Sequence, residues 1–415
     1  MKTVLLACVV AAQNLFAEHS YYRNRAFRKN LRTSIRITEG DIQRSLRKLK
    51  KVPAAYWMDT KAVVRKLPNE LQQAKGDLVV IVVYNLPNRD CAAASSAGEI
   101  CCSYGPDGIC NYGETPSCDD GLAEYENDYI DVMRDILADY PEVPVALVIE
   151  PDSLPNLVTN QAHPVCGASE TQAAYMTGIK YAVETLATLD NVAIYLDAAH
   201  EGWLGWDGNA DGFMNLVSQM DIWPLLRGFT INVANYFSEG IPCPDAVTCP
   251  LGPGATSTEP CCVDACGLLA QYNRANNEHQ YAKVLREFAE AAMPGFEPHF
   301  VIDTSRNGNP EARSDCSAWC NARGALLGTV PTSDTLDPDL VDAYFYIKIP
   351  GESDGCTELL PSEEDEFQAA GLCPRFDENC ASEHSIGSQA GEPFAPEAGD
   401  WFHYQITMLA EGFSL

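Results

Sequence analysis

The chain has 415 residues, 46% of them hydrophobic, enough for one large α/β barrel or for two or three ordinary domains. Its formal net charge of −30 argues against nucleic acid and anionic membrane surfaces as partners for the body of the protein.

Met1–Ala17 reads as a secretory signal, with Lys2, the apolar run Val4–Ala12, and Ala12 and Ala17 as possible cleavage points. The run is too short to span a bilayer, and no later stretch reaches the ~18 uninterrupted apolar residues of a spanning helix, so a soluble secreted protein is expected; a monomer is the expected state. Glu18–Lys51 holds eleven Lys/Arg against three acids. It has the charge to bind a polyanion, although a solvated helical face plus an extended arm is the plainer expectation.

Seven short apolar runs follow: Ala54–Met58, Leu78–Tyr84, Val145–Ile149, Val192–Leu196, Gly228–Val233, His299–Ile302 and Ala343–Ile347. Between them, Tyr125–Asp139, Thr171–Leu189 and Asn273–Ala292 have a near-helical apolar period. Strands alternating with helices predict a distorted seven-stranded parallel β/α barrel in a single domain. The runs end in Asp59, Asn85, Asp152, Asp197, Asn235, Asp303 and Lys348, polar residues that one barrel mouth would collect.

Cys8 leaves with the signal, and the sixteen cysteines that remain of seventeen point to disulfides in an exported chain. Zinc is the competing reading for Cys261, Cys262 and Cys266 and for Cys316 and Cys320, but no histidine stands beside them at ligand spacing. Cys101–Cys118 and Cys243–Cys266 are Gly-, Pro- and Cys-rich loops, each expected to be pinned by its own bridges. Pro350–Gly399 is long, acidic and irregular, as lids and cleft walls are. No nucleotide, zinc-protease or hydrolase-elbow motif is present, so neither metal nor cofactor is expected.

The chemistry gathers around V-A-L-V-I-E-P-D-S-L-P-N-L-V-T-N, Val145–Asn160. Pro151 ends the strand, because it lacks the N–H a ladder needs. Asp152 is then either a catalyst at a strand end or, like Ser153, the cap of a helix starting at Leu154. Asp90, Asp152, Asp197 and Asp354 would face one another across a barrel mouth. Crowded carboxyls raise one another's pKa, and one of them then donates a proton near neutral pH. Trp57, Trp203, Trp206 and Trp319 sit at or just beyond strand ends, where flat indoles suit stacking on sugar rings.

In these motifs the chain resembles glycoside hydrolase family 6, the inverting enzymes that cut β-1,4-glucan. V-V-Y-N-L-P-N-R-D-C-A-A resembles the first family signature and V-I-E-P-D-S-L-P-N-L-V-T-N the second. L-D-A-A-H-E-G-W-L-G-W, N-V-A-N-Y, W-C-N and K-I-P-G-E-S-D-G follow in the family's order. The similarity runs from about Tyr21 to near the C-terminus, and the expected division is a signal at residues 1–17, a basic N-terminal arm or helix at 18–51 and the family's catalytic domain at 52–415.

By that resemblance Asp152 is the proton donor and Asp90 tunes its pKa, with Ser96 beside it. Asp354 is the candidate base, directly or through water. Tyr84 crowds the distorted sugar, and Asp197 belongs to the catalytic centre. Trp57, Asp59, His200, Trp203, Asn235, Trp319, Lys348 and Glu352 match sugar-binding positions, with Trp206 a further platform. Two bridges are implied, Cys91 with Cys166 and Cys320 with Cys380. The chain departs from the family at Asn85 and Asn88, where acids are usual, and at Ile349 and Ser353, commonly Pro and Cys.

In this family long loops roof the cleft of cellobiohydrolases, and short ones leave endoglucanases open. Here 47 positions separate Asp354 from Trp401, and P-R-F-D-E-N-C resembles the tunnel-forming version. A cellobiohydrolase acting on cellulose and cello-oligosaccharides is expected. An endoglucanase is the alternative within the family. An inactive glucan-binding protein is the alternative outside it, opposed by Asp90, Asp152 and Asp354.

Overall fold

A computed structural model describes residues 13–105, 110–111, 117–313, 315–357, 373 and 375–415. The apolar run of the expected signal and residues 358–372 of the long acidic loop lie outside them. Seven strands form one parallel sheet in chain order: β1 (Tyr56–Met58), β2 (Val79–Val83), β3 (Val145–Ile149), β4 (Val192–Asp197), β5 (Gly228–Ile231), β6 (His299–Asp303) and β7 (Val341–Phe345). All seven apolar runs are therefore strands. The sheet starts flush, with Val79 beside Val145 and Val145 beside Val192.

The sheet curls into a single-domain barrel because both faces of each strand are apolar. In β2, Ile81 and Val83 pack outward on the helices, while Val80 and Val82 point into the lumen with Ala146, Val148, Ala193 and Tyr195. Among the described residues β7 and β1 share no ladder. The seam is bridged by the Ala55 amide on the Tyr346 carbonyl, 2.9 Å, and by the Trp57 indole N–H on the Ile347 carbonyl, 2.8 Å.

The lumen is plugged by Leu15 and Phe16 in the short helix Leu15–Glu18. Phe16 packs edge-on against Tyr195 and Phe345, with ring centroids 6.1 and 5.7 Å apart. Asn14 fixes the turn by accepting from the Phe16 amide at 3.0 Å and donating to the Asp342 carbonyl at 3.1 Å. A cut after Ala17 removes this plug, and a cut after Ala12 leaves it in place.

The basic stretch is helical, as its expected helical face requires, and its apolar positions pack on the core. Two helices, Arg25–Ile37 and Gly40–Leu49, bury Phe27, Leu31, Leu46 and Leu49 against Tyr346, Ile406 and Leu409. The preceding segment is held by paired bonds of Ser20 and Tyr22 to Leu78. The third predicted helix also begins late, at Glu278, because Asn277 caps it by accepting from the Gln280 amide.

Eight disulfides join the sixteen cysteines that follow Cys8: Cys91–Cys166, Cys101–Cys110, Cys102–Cys118, Cys243–Cys261, Cys249–Cys262, Cys266–Cys316, Cys320–Cys380 and Cys356–Cys373. The bridges leave no thiolate for zinc. The loop 243–266 is not self-contained, because Cys266 reaches out to Cys316 and ties it to the segment after β6.

Candidate active site

The carboxyl ends of the strands open into a cavity of about 760 Å³. Parallel barrels place ligands there because strand ends can present side chains without breaking a ladder. The local backbone is shaped for that purpose. Asp90, Glu150, Asp152, Ala199, Asn232, Ala234 and Asn321 all have positive φ, between 45° and 62°. Non-glycine residues pay for this conformation, and its concentration at one mouth marks a functional site.

Asp152 follows β3 with φ 62° and lines the cavity floor. A helix does begin at Ser153, but the Asp152 side chain makes no capping bond to it, so the cap reading fails. Its carboxyl accepts no hydrogen bond from the described residues, and its amide donates to Asp197 Oδ1 at 3.0 Å. Burial pushes the Asp152 carboxyl well above the usual carboxylate range, and the charges of Asp197, Asp90 and Asp354 push it further. Asp197 lies behind it, outside the cavity lining, and accepts also from the Ala199 amide at 3.1 Å. Burial lifts Asp197 to about 7.

Asp90 comes from the loop after β2 and accepts from the Tyr84 hydroxyl and from Ser96. Burial raises its pKa against the opposing pull of Ser96, Tyr84, Arg89 and Lys348. Arg89 is the brace. It donates to the Asp59 and Tyr84 carbonyls at 2.9 and 2.7 Å and lies 4.1 Å from the Tyr84 ring centre.

Glu150 points to structure instead. Its carboxylate accepts from the Asn85 and Leu86 amides at 3.1 and 3.3 Å and from the Tyr125 hydroxyl at 2.8 Å. It thereby pins the end of β2 to β3, and burial raises it to about 7. The helix carrying Tyr125 widens into a π turn over Tyr125–Ile130, which the 3.6-residue period conceals. That turn aims Tyr129 at the Tyr84 amide, 2.9 Å away.

Asp354 presents the opposite electrostatics across the mouth. Arg306 Nη1 donates to its two oxygens at 2.8 and 2.9 Å, Tyr236 donates at 2.6 Å and the Asn321 amide at 2.8 Å. Burial alone would raise this acid, but the Arg306 guanidinium and Lys348 outweigh it and hold it below the usual range. One carboxyl is biased toward its protonated form and another toward its ionised form in the same cavity.

Trp57, Trp203 and Trp319 line the cavity as half-buried indoles, together with Tyr84, Asp59, Ser96, His200, Asn235, Lys348 and Glu352. Trp57 sits edge-on to Tyr84 at 5.1 Å, and Trp203 is fixed through Thr159 Oγ1 at 2.6 Å. His200 stacks on Phe237 at 4.5 Å, and burial, with Arg313 nearby, holds it neutral. Burial raises Glu352 to about 8.

Trp206 lies beyond this cavity lining, and its indole N–H donates to the Gln271 carbonyl at 3.0 Å, where the chain turns into the helix Asp207–Met220. The sequence reading missed four arginines: Arg89, Arg313 and Arg375 on the walls and Arg306 beneath Asp354. Arg89 adjoins Asp90 and was open to notice. The other three lie in irregular segments with no periodic signal.

The family model for glycosyl hydrolases family 6 matches residues 12–412. The 1,4-beta-D-glucan cellobiohydrolase C of Emericella nidulans is 36% identical over 375 residues, covering 87% of this chain and 69% of that protein. Exoglucanase 3 of Agaricus bisporus is 36% identical over 367 residues, covering 87% and 70%. Cellobiohydrolase II (Cel6A) of Humicola insolens, solved with glucose and cellotetraose, superposes with a TM-score of 0.74 at 31% identity, covering 96% of this chain and 98% of that one. The catalytic core of the Chaetomium thermophilum cellobiohydrolase Cel6A gives 0.75 at 29% identity, with coverage of 96% and 98%. With the barrel and its acidic mouth, these matches make the chain a member of glycosyl hydrolases family 6.

Proposed function

We propose that this enzyme is a secreted cellobiohydrolase that cleaves β-1,4-glucosidic bonds of cellulose with inversion and releases cellobiose from non-reducing ends. The observation that carries the reading is the pairing of a raised Asp152 with a depressed Asp354 across one cavity. Asp152 donates its proton to the glycosidic oxygen as the bond breaks. A water attacks the anomeric carbon from the far face, and inversion needs the two carboxyls about 6.5–9.5 Å apart to admit it. Asp354 draws the water's proton. Both of its oxygens are engaged by Arg306, Tyr236 and the Asn321 amide, so it acts in place, through water, rather than by swinging toward the sugar. Asp90, bonded to Tyr84 and Ser96, and Asp197 keep Asp152 protonated. Trp57, Trp203, Trp319, Asp59, His200, Asn235, Lys348 and Glu352 hold the glucan chain.

The exo mode draws on the loop between Asp354 and Trp401. Arg375, which lines the cavity, donates to the Ala97 carbonyl at 3.3 Å, and Asp377 accepts from the Ala94 amide at 3.1 Å. These bonds join the loop after β7 to the loop after β2. Eight disulfides suit an exported protein. Reducing ends on amorphous cellulose test the mode: they are expected mainly in the soluble fraction, and predominantly insoluble ends would make the enzyme an endoglucanase.

A further inference from the structure

A second cavity, of about 630 Å³, lies on the outer wall between the helices Arg25–Ile37 and Leu67–Ala74, with Tyr56 of β1 at its base. Arg25, Arg28, Lys29 and Arg32 line one side, and Lys66 stands on the other. In a chain with 58 acids and 28 Lys/Arg, these five cations make no ion pair and no side-chain hydrogen bond among the described residues. By contrast Lys61, Arg227, Arg274, Arg306, Arg323 and Arg375 are all paired. Arg28 Nε is shielded from solvent and has no partner. The one acid in the groove, Glu70, is buried and already accepts from Tyr22 at 2.6 Å.

The array is rigid. The same helix buries Phe27 and Leu31 in the core, so its cations cannot drift as those of a loose basic tail would. Positions 25, 28, 29 and 32 fall on one helix face, in steps of three or four residues and about 5 Å along the axis. That step is comparable to one pyranose ring in an extended glycan. Guanidinium forks match carboxylates in pairs. Tyr56 and Asn69 add a ring face and an amide for sugar hydroxyls.

We propose that this groove is a second glycan-binding site, specific for a short run of carboxylated sugars in a polyuronate. The helix has no apolar face left to insert into a bilayer, because that face is spent on the core. Repulsion from the acidic body limits the contact to a few neighbouring uronates and weakens a densely charged duplex more. The choice of a glycan over another polyanion rests on the proposed glucanase function; the unpaired cationic groove does not.

The test is affinity electrophoresis of the intact protein at about 0.1 M salt, where charges are screened beyond about 10 Å. The gels contain polygalacturonate or its methyl ester, and Arg25→Gln/Arg28→Gln/Arg32→Gln is run beside the native protein. Polygalacturonate is expected to retard the native protein, the ester not to, and the variant to bind about tenfold more weakly. Cellotetraose hydrolysis by the variant is expected to equal that of the native protein, which shows that it is folded. Lys66→Gln alone is expected to weaken retardation measurably. Equal retardation of variant and native protein, equal retardation by the ester, no retardation at all, or preferential binding of phosphatidylserine vesicles or duplex DNA would each overturn the site. Failure of the native protein to hydrolyse cellotetraose would instead count against the glucanase reading.

Discussion

The backbone amide of Asp152 donates to the carboxylate of Asp197 across 3.0 Å, seating one acid behind another at the ends of the adjacent strands β3 and β4. Asp197 therefore both positions the donor loop and adds negative charge that keeps Asp152 protonated. Asp197→Asn retains an oxygen for the amide but removes the charge. The alkaline limb of kcat/KM is expected to move to lower pH, because Asp152 then ionises more easily. An unshifted limb would remove Asp197 from the tuning of the donor.

Arg306 is fully buried, and it is what keeps Asp354 ionised. Arg306→Met leaves a buried carboxylate without its main partner and should cost about 3–5 kcal/mol in denaturant unfolding. The acid limb of kcat/KM should rise toward neutral pH in the same variant, since Asp354 then binds a proton more readily. A destabilised variant with an unchanged acid limb would make Arg306 structural only.

Three buried acids have folded pKa values far above their usual ones: Glu150 from 4.5 to about 7, Asp197 from 3.8 to about 7, and Glu352 from 4.5 to about 8. Between those limits the folded chain binds more protons than the unfolded one, so stability falls as pH rises. The contribution is complete below about pH 4 and is lost on passing pH 7–8. Self-repulsion at a net charge of −30 acts in the same direction. Thermal scans from pH 5 to 8 should show a falling midpoint, and a rise would contradict the assignment of these groups.

With the proposed export, the lumen plug predicts where the expected signal is cut. Removal of Leu15 and Phe16 would open the barrel floor, so the exported chain is expected to start at Gln13, as read from its N-terminal peptide mass. Phe16→Ala should cost about 3–5 kcal/mol. A mature chain that begins at Glu18 and remains equally stable would show that the plug is dispensable.

Much of this was legible in the sequence because its signals are local. The run V-V-I-V-V is buried on both sides and can be little but a central parallel strand, and Pro151 marks where β3 stops. The motif acids fall at strand ends or in the loops that follow them, and most of them line one cavity. What stayed hidden depends on contacts distant in sequence. Arg306 meets Asp354 across 48 positions, and Cys266 crosses to Cys316. H-E-G-W-L-G-W places two indoles three residues apart, and the turn into the next helix, which sets Trp203 in the cavity lining and Trp206 beyond it, has no local sequence signal. The charge of the basic stretch dominates its composition and conceals that Phe27 and Leu31 decide where its helical face packs.

Proton NMR of cellotetraose hydrolysis, recorded before mutarotation, tests the central claim most directly. Asp152 as donor and an attacking water on the far face predict cellobiose appearing first as the α-anomer, and a rate at least about a hundredfold lower in Asp152→Asn. Cellobiose appearing first as the β-anomer, or an Asp152→Asn variant as fast as the native enzyme, would contradict it.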